Sequence, residues 1–338
     1  MKEAYGDYYL GIDVGSVSTN LVVINSTREV YHKEYLRTQG RPIPAVQAGL
    51  AQVYQKLPGI QIRGVGTTGS GRRLAAAIAG ADIVKNEITS HAVAATHFCP
   101  DVQTVIEIGG QDSKIIILRE GVVTDFAMNT VCAAGTGSFL DQQAARLGIP
   151  IAEFGEIALE AKNPVRIAGR CTVFAESDMI HKQQMGHSVP DILAGLCAAM
   201  VRNYLNNVAK GKEIRPTVLF QGGVAANRGM HKALEDELGY PVVVPPAFDV
   251  MGAVGAALLA KRHIEENGQE TNFRGFGVSQ AHYSAGSFEC SHCANHCEIV
   301  KISMDGRLIA SWGSRCGRWE QEEAYHSPID HLQQLCYY

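Results

Sequence analysis

The sequence predicts an α/β protein with a duplicated two-lobed fold and a small cysteine-rich β-hairpin domain at its C-terminus. Residues 11–24 and 105–118 repeat each other without gaps, which indicates the duplication. A third glycine-rich segment, residues 217–230, begins with a short apolar run, as expected where a buried strand leads into a helix. Four cysteines lie between residues 290 and 316 around a strand-like pattern, which indicates the extra domain.

These features predict the domain boundaries. We expect the duplicated part at residues 1–264, with lobes at about 1–100 and 101–264. Segment 265–288 is polar and contains several glycines, so it is expected to be a linker. Residues 289–338 are expected to form the small cysteine-rich domain.

Composition and charge exclude several classes of protein. The chain has 338 residues, 46% of them hydrophobic, and a formal net charge of -4, which argues against a general nucleic-acid or membrane surface. The first residues lack the pattern of a signal peptide, and no apolar stretch approaches the length of a membrane span. We therefore expect a cytoplasmic protein, in which the nine cysteines bind metal, carry redox chemistry or are inert buried thiols.

The two repeat copies share an arrangement of acidic, glycine and polar residues. Asp13 aligns with Glu107 and Gly15 aligns with Gly109, and each copy has the pattern of a strand, a tight turn and a second strand. Glycine lets backbone N–H groups approach an anion, and a carboxylate can hold Mg²⁺ or a water molecule. The copies therefore predict two phosphate-binding turns, with two ordinary hairpins as the alternative. The predicted phosphate-binding residues are Gly15, Ser16, Val17, Ser18, Thr19, Gly109, Gly110 and Gln111.

The segment TVLFQGGVAANRGM predicts the adenosine part of a nucleotide site. A buried strand is expected to end at Gly222 and Gly223, which open a helix with Asn227 in its first turns. Glycine at this place lets a flat base or a ribose approach closely. Gly252, in the small-residue helix that follows, is assigned to the same site, and close packing of that helix is the alternative.

Two cysteines stand where helices are predicted to begin. Cys132 precedes a small-residue turn and a helix at 138–147, and Cys171 precedes Thr172, the predicted N-cap of a helix at 173–183. The positive end of a helix dipole favours an anionic ligand set. Because a [4Fe–4S] cluster usually takes four thiolates, one cluster shared by two subunits accounts for the pair. An intrachain disulfide and two unrelated buried thiols are the alternatives.

The order of these turns resembles the actin, Hsp70 and sugar-kinase ATPase superfamily over residues 8–262. Within it, the segments CAAGTGSFLDQQAARLG, CTVFAESDMI, IEIGGQDSK and FQGGVAANRGM resemble one family, the activators of 2-hydroxyacyl-CoA dehydratases and the ATPase subunits of benzoyl-CoA reductase (BadF/BadG/BcrA/BcrD type). The resemblance implies a homodimeric ATPase that binds ATP or ADP with Mg²⁺ in a cleft between two lobes. It also implies one [4Fe–4S] cluster per dimer, held by Cys132 and Cys171 of both subunits. Cys99 and Cys197 match neither cysteine motif and are expected to be buried apolar thiols.

The resemblance further implies ATP-driven transfer of single electrons at low potential. A ferredoxin or flavodoxin would be the donor, and the acceptor would be an iron–sulfur enzyme of the dehydratase, benzoyl-CoA reductase or double-cubane-cluster type. Within the expected nucleotide site, we assign Asp13 and Glu107 to Mg²⁺ or water, and Gln111 and Asp112 to the γ-phosphate. A small-molecule kinase of the same fold and an ATP-binding regulator are the competing interpretations.

The C-terminal cysteines predict a second metal site. Cys290, Cys293 and Cys297 precede a β-hairpin pattern with an Asp-Gly turn, and Cys316 follows it. Four thiolates around a hairpin are typical of a zinc ribbon, and they also suit a second iron–sulfur cluster. A tail without metal is the third alternative. The tail resembles the cysteine-bearing extension of larger activase-like proteins, which leaves the identity of the acceptor enzyme open.

Overall fold

A computed structural model describes residues 6–129, 133–169 and 171–322 of the chain. It divides into two compact units, of which the first contains the chain up to Ser90 and again from Gly252 onward, and the second contains His91–Met251. Each unit has a five-stranded sheet with its own hydrophobic core. None of the helices in the described ranges is long and apolar enough to span a membrane.

The bounds of the elements follow in chain order. The strands are β1 Tyr8–Val14, β2 Ser18–Asn25, β3 Val30–Arg37, β4 Ile62–Thr68, β5 Ile83–Val84, β6 Thr104–Ile108, β7 Ser113–Arg119, β8 Val122–Asn129, β9 Val218–Gln221, β10 Val242–Val243, β11 Tyr283–Glu289, β12 Glu298–Met304, β13 Arg307–Trp312 and β14 Gln321–Glu322. The α-helices are α1 Pro42–Lys56, α2 Arg72–Ala79, α3 Glu87–Phe98, α4 Gly137–Leu147, α5 Ile151–Leu159, α6 Thr172–Gln184, α7 Val189–Asn207, α8 Arg228–Leu238 and α9 Met251–Asn267.

The two five-stranded sheets have the same topology. The first has the order β3-β2-β1-β4-β5, and the second has the corresponding order β8-β7-β6-β9-β10. In each sheet the first three strands in the chain form an antiparallel meander, and the last two run parallel to the first strand. This repeated topology confirms the predicted duplicated α/β fold.

The long helix α9 belongs to the first unit, although the expected boundaries place it in the second lobe. Two sheet glycines allow it to approach the strands. A Cβ added at Gly11 would lie 1.8 Å from the carbonyl oxygen of Ala253, and one at Gly66 would lie 2.1 Å from that of Ala256. The small residues of this helix therefore serve close packing on β1 and β4.

Three helix starts show how local chemistry sets the boundaries. Helix α4 begins at Gly137 and ends at Leu147, and the left-handed backbone of its C-cap Gly148 (φ 68°) closes the last turn. Cys171 itself is the N-cap of α6, where the sequence predicts Thr172. Asn227 is the N-cap of α8, and its side chain accepts a hydrogen bond from the backbone N–H of Met230 at 3.0 Å.

The C-terminal residues form an antiparallel sheet in the order β11-β12-β13-β14. The predicted hairpin is confirmed, because β12 and β13 pair across Asp305 and Gly306, both with positive φ. Ile302 and Ile309 of this sheet join the hydrophobic core of the first unit. A tail too short to bury a core of its own is therefore stabilised by the core of the larger unit.

The segment expected to be a linker is packed against the first unit. Asp82 accepts a hydrogen bond from the hydroxyl of Thr271 at 2.7 Å, and the rings of Tyr54 and Phe276 lie 5.4 Å apart. The composition of the segment is polar, but its few aromatic side chains reach the core, which composition alone does not indicate. The linker prediction is therefore corrected over these residues.

Candidate functional site

The two repeat copies form hairpins with the same turn. In the first unit, the backbone N–H of Gly15 donates to the carbonyl of Ser18 at 2.8 Å. In the second unit, the backbone N–H of Gly109 donates to the carbonyl of Asp112 at 3.0 Å. We call these the first turn (residues 15–18) and the second turn (residues 109–112).

The strands that flank the turns are also in the same register. Asp13 pairs with Asn20 in the first hairpin, and Glu107 pairs with Lys114 in the second. Both carboxylates therefore lie on the first strand, two residues before the turn glycine. The sequence alignment of the copies predicts this register, because a repeat without gaps preserves the cross-strand pairs.

Thr38 braces the first turn, and the sequence analysis did not identify it. Its hydroxyl donates to the carbonyl of Gly15 at 2.9 Å and lies 2.9 Å from the hydroxyl of Thr19. Its backbone N–H donates to the carbonyl of Val17 at 2.9 Å. No local signal marks Thr38, because it follows β3 and reaches the turn only through the fold.

Two glycines make room for the carboxylate of Asp13. A Cβ at Gly69 would lie 2.5 Å from Oδ1, and a Cβ at Gly252 would lie 2.1 Å from Oδ2. Gly252 stands in the first turn of α9, where the positive end of the helix favours a carboxylate. The structure thus places Gly252, expected to contact nucleotide, beside Asp13.

Lys114 connects the two carboxylates of the second hairpin. Its buried ammonium lies 2.9 Å from Oε2 of Glu107 and 2.7 Å from Oδ2 of Asp112. The lysine and Glu107 are almost completely buried, so each requires the other as a partner. The repeat aligns Lys114 with Asn20, but the sequence analysis assigned Lys114 no role. A lysine within an apolar strand was the feature that could have indicated a buried ion pair.

The second turn and the third glycine segment meet at Glu107. A Cβ at Gly222 would lie 2.7 Å from Oε1 of Glu107, and a Cβ at Gly109 would lie 3.3 Å from the same atom. Gly222 also has a φ of 89°, which favours glycine, and its N–H donates to the carbonyl of Phe248 at 2.8 Å. These contacts bring together residues that the sequence assigned to separate parts of a nucleotide site.

The remaining predicted turn residues differ in accessibility. Ser16, Gln111 and Gly223 are exposed, and Thr19 is buried. The half-buried ones are Val17, Ser18 and Gly110. The exposed positions lie at the tips of their turns, where backbone and side-chain groups can reach a ligand.

A buried histidine lies at the end of β9. Nδ1 of His91 is 2.7 Å from the amide nitrogen of Gln221, the residue before Gly222. Burial, with a smaller effect from the charge of Lys114, lowers the pKa of His91 to about 3. The imidazole is therefore neutral at pH 7, and no motif in the sequence indicates this pair.

The second turn is bonded to the start of helix α4. The backbone N–H groups of Gly137 and Ser138 donate to the carbonyls of Gly109 and Gly110 at 2.8 and 2.9 Å. The hydroxyl of Ser138 donates to the same Gly110 carbonyl at 2.5 Å. Cys132, which precedes this helix, lies outside the described residues.

Cys171 is a free thiol at the start of α6. It is half-buried, and as N-cap its side chain makes no capping hydrogen bond. Val173 and Phe174, in the first turn of the helix, are exposed to 66% and 65%. A free thiol at the positive end of a helix, beside an uncovered apolar surface, fits a ligand of an anionic group at an interface.

The other two cysteines outside the tail differ from each other. Cys197 is buried in α7, and this burial raises the pKa of its thiol to about 12. Cys99 is half-buried rather than buried. The expectation of an inert apolar thiol therefore holds for Cys197 and is incomplete for Cys99.

The cysteines of the tail converge on one end of the C-terminal sheet. The N–H of Cys290 donates to the carbonyl of Cys297 at 2.8 Å, and the indole N–H of Trp319 donates to the Cys290 sulfur at 3.3 Å. Cys293 and Cys316 are exposed. Within residues 6–129, 133–169 and 171–322, no three histidine, cysteine or acidic side chains are grouped to hold a metal. The four-thiolate metal site therefore stays a prediction.

The repeated sheets, the paired turns and the third glycine segment define an ATPase of the actin, Hsp70 and sugar-kinase fold class. Residues 10–260 match the model of the BadF/BadG/BcrA/BcrD ATPase family. The chain belongs to this family, as the sequence motifs predicted. The tail beyond residue 260 lies outside the match.

Named relatives agree with this assignment. The (R)-2-hydroxyglutaryl-CoA dehydratase activating ATPase of Acidaminococcus fermentans is 36% identical over 260 residues, which cover 75% of this chain and 96% of the relative. A benzoyl-CoA reductase subunit from Thauera aromatica is 33% identical over 178 residues, covering 51% and 63%. The solved activator of the 2-hydroxyisocaproyl-CoA dehydratase from Clostridium difficile, with bound ADPNP, has a TM-score of 0.70 at 31% identity, covering 77% and 97%.

Proposed function

We propose that this protein is an ATP-dependent activator that passes single electrons at low potential to a partner iron–sulfur enzyme. The observation that carries the proposal is the pair of matched turns, each preceded by a carboxylate, in a chain whose relatives are named as dehydratase activators and a benzoyl-CoA reductase subunit. The partner would accordingly be a 2-hydroxyacyl-CoA dehydratase or a related reductase. A ferredoxin or flavodoxin would supply the electron.

The two turns would bind the phosphates of ATP through their backbone N–H groups. Asp13, which Gly69 and Gly252 leave uncrowded, would hold Mg²⁺ or the water that attacks the γ-phosphate. Glu107 has one oxygen on Lys114 and the other beside Gly109 and Gly222, so it would act from a fixed position. Gln111 and Asp112 would contact the γ-phosphate. Gly222, Gly223 and Asn227 would lie on the adenosine side.

Cys132 and Cys171 would hold a [4Fe–4S] cluster together with the same residues of a second subunit, and such a cluster supplies one-electron transfer. Cys171 fits this role because its thiol is free, half-buried and at a helix start. The exposed Val173 and Phe174 beside it favour a contact that excludes water around the group. The homodimer follows from the number of thiolates, since Cys132 and Cys171 supply two per chain and a [4Fe–4S] cluster usually takes four.

The decisive experiment is iron and sulfide analysis of anaerobically purified protein of known oligomeric mass. We expect about four irons per dimer, as one [4Fe–4S] cluster requires. Cys132→Ser and Cys171→Ser should lose the iron, and Cys197→Ser, which removes a buried thiol, should retain it. A colourless, iron-free monomer that phosphorylates a small molecule would instead establish a kinase of the same fold.

A further inference from the structure

Both described flanks of Cys132 are bonded to the second hairpin. On one side, β8 ends at Asn129, which pairs with Ser113 at the start of β7. On the other side, Gly137 and Ser138 donate their N–H groups to the carbonyls of the second turn. A change in the position of the second turn would therefore act on both ends of the segment that contains Cys132.

The segment before Cys171 is connected to the same hairpin through helix α7. The hydroxyl of Tyr204 donates to the carbonyl of Lys114 at 2.8 Å. The neighbouring Asn203 donates from its amide nitrogen to the carbonyl of Gly169 at 2.6 Å. A Cβ at Gly169 would lie 2.8 Å from the carbonyl oxygen of Ala199, so this segment lies directly on α7.

We infer that Ser138 and Tyr204 are positioning residues that transmit the nucleotide state of the second turn to the two cysteine-bearing segments. This inference rests on the proposed function and specifies how ATP acts there. Ser138 connects the turn to the Cys132 side, and Tyr204 connects it to the Cys171 side. Neither side chain is assigned a contact with nucleotide or with the reacting atoms.

Hydrogen bonds suit this role because their strength falls steeply with distance and angle. When a γ-phosphate draws the second turn toward itself, the Gly110 and Lys114 carbonyls change position. Helix α4 then follows through Ser138, and α7 follows through Tyr204. A packed core does not deform continuously, so a small shift at the turn favours a second arrangement of these helices.

The test is hydrogen–deuterium exchange on the full-length, anaerobically purified protein, with saturating ADPNP compared with ADP. In the wild type, peptides covering residues 133–142 and 165–175 should both change their exchange rates by threefold or more between the nucleotides. Ser138→Ala should weaken the change in the first peptide by about half, since the backbone bonds of Gly137 and Ser138 to the turn remain, and should retain the change in the second. Tyr204→Phe should weaken the change in the second peptide and retain the change in the first.

Three controls separate transmission from general loss of structure. Ser138→Thr keeps the hydroxyl and should restore the response. Ser177→Ala removes a hydroxyl that also donates to a carbonyl, that of Val173 within α6, and should change neither response. ADPNP affinity should stay within twofold of the wild-type value in all variants, because nucleotide binding is not the altered step.

Two results would overturn the inference. The first is a wild type in which ADPNP and ADP give the same exchange in both peptides, which needs no variant to fold. The second is a full response in both Ser138→Ala and Tyr204→Phe. A protein without iron in which Ser138→Ala still affects the first peptide and Tyr204→Phe the second would refute the electron-transfer proposal. It would still support the transmission route.

Discussion

The two hairpin turns have the same backbone hydrogen bond, but different side chains support them. The first turn is braced by neutral groups, since the Thr38 hydroxyl holds Gly15 and Thr19. The second turn is held by charge, since Lys114 binds both Glu107 and Asp112. The second turn is also bonded to a helix, since the first N–H groups of α4 donate to the carbonyls of Gly109 and Gly110.

This difference shows how the two copies of a duplicated fold can serve different roles. A turn braced from its own sheet is suited to holding a ligand in place. A turn that is held by an ion pair and bonded to a neighbouring helix is suited to passing a change onward. Asn20 and Lys114 occupy equivalent positions, so this difference between the copies supplies the positive charge of the second hairpin.

The largest expected effect follows from removing the buried cation. Lys114→Met removes the buried ammonium that pairs with Glu107 and should lower the free energy of unfolding by about 3–5 kcal/mol. Urea unfolding at pH 7 measures this loss. The added change Glu107→Gln should recover part of it, because the uncompensated charge is gone. Asn20→Met, at the equivalent position of the first hairpin, should cost much less, and equal losses would remove the distinction between the turns.

The next effect is a pH dependence of stability that arises from His91 in the second unit. Because the folded pKa of His91 is about 3, the unfolded chain binds a proton below about pH 6.5 that the folded chain excludes. The contribution of neutral His91 to the free energy of unfolding is therefore fully present above pH 6.5. It falls by about 1.4 kcal/mol per pH unit as the pH drops toward 4. His91→Gln should flatten the unfolding free energy over this range relative to wild type. His97→Gln, on the exposed side of the same helix, should leave the slope unchanged.

A smaller effect is expected at the first turn. Thr38→Val removes two hydrogen bonds to the turn and should cost about 1–2 kcal/mol of stability while weakening ATP binding. Thr38→Ser keeps the hydroxyl and should behave nearly as wild type. Calorimetric titration with ADPNP and urea unfolding give both quantities. Unchanged affinity in Thr38→Val would show that the brace is not needed for nucleotide.

The smallest effect concerns an ion pair that is similar in form to that of Lys114 but exposed. Arg73 lies 3.1 Å from Glu320 and connects the tail to α2. Water screens both groups, so Arg73→Gln should change the free energy of unfolding by less than about 0.5 kcal/mol. A loss comparable to that of Lys114→Met would mean that burial does not explain the difference between the two pairs.

The features that depend on local pattern were predicted correctly from the amino-acid sequence. The repeat predicted the two hairpins and the register that sets Asp13 and Glu107 before their turns, because a gapless repeat with alternating side chains preserves cross-strand pairs. The Asp305-Gly306 turn could also be predicted from the sequence, because only a few residue types favour positive φ. The four hallmark segments identified the family that the comparisons confirm.

The contacts between residues that are distant in sequence were found only in the folded protein. Thr38 reaches the first turn from beyond β3, and His91 meets Gln221 across 130 residues of sequence. The tail, expected to follow a linker, joins the core of the first unit through Ile302 and Ile309. Such contacts depend on how whole elements pack against each other. Because the hydrophobic effect is non-directional, the apolar pattern within one element does not specify which other element packs on it.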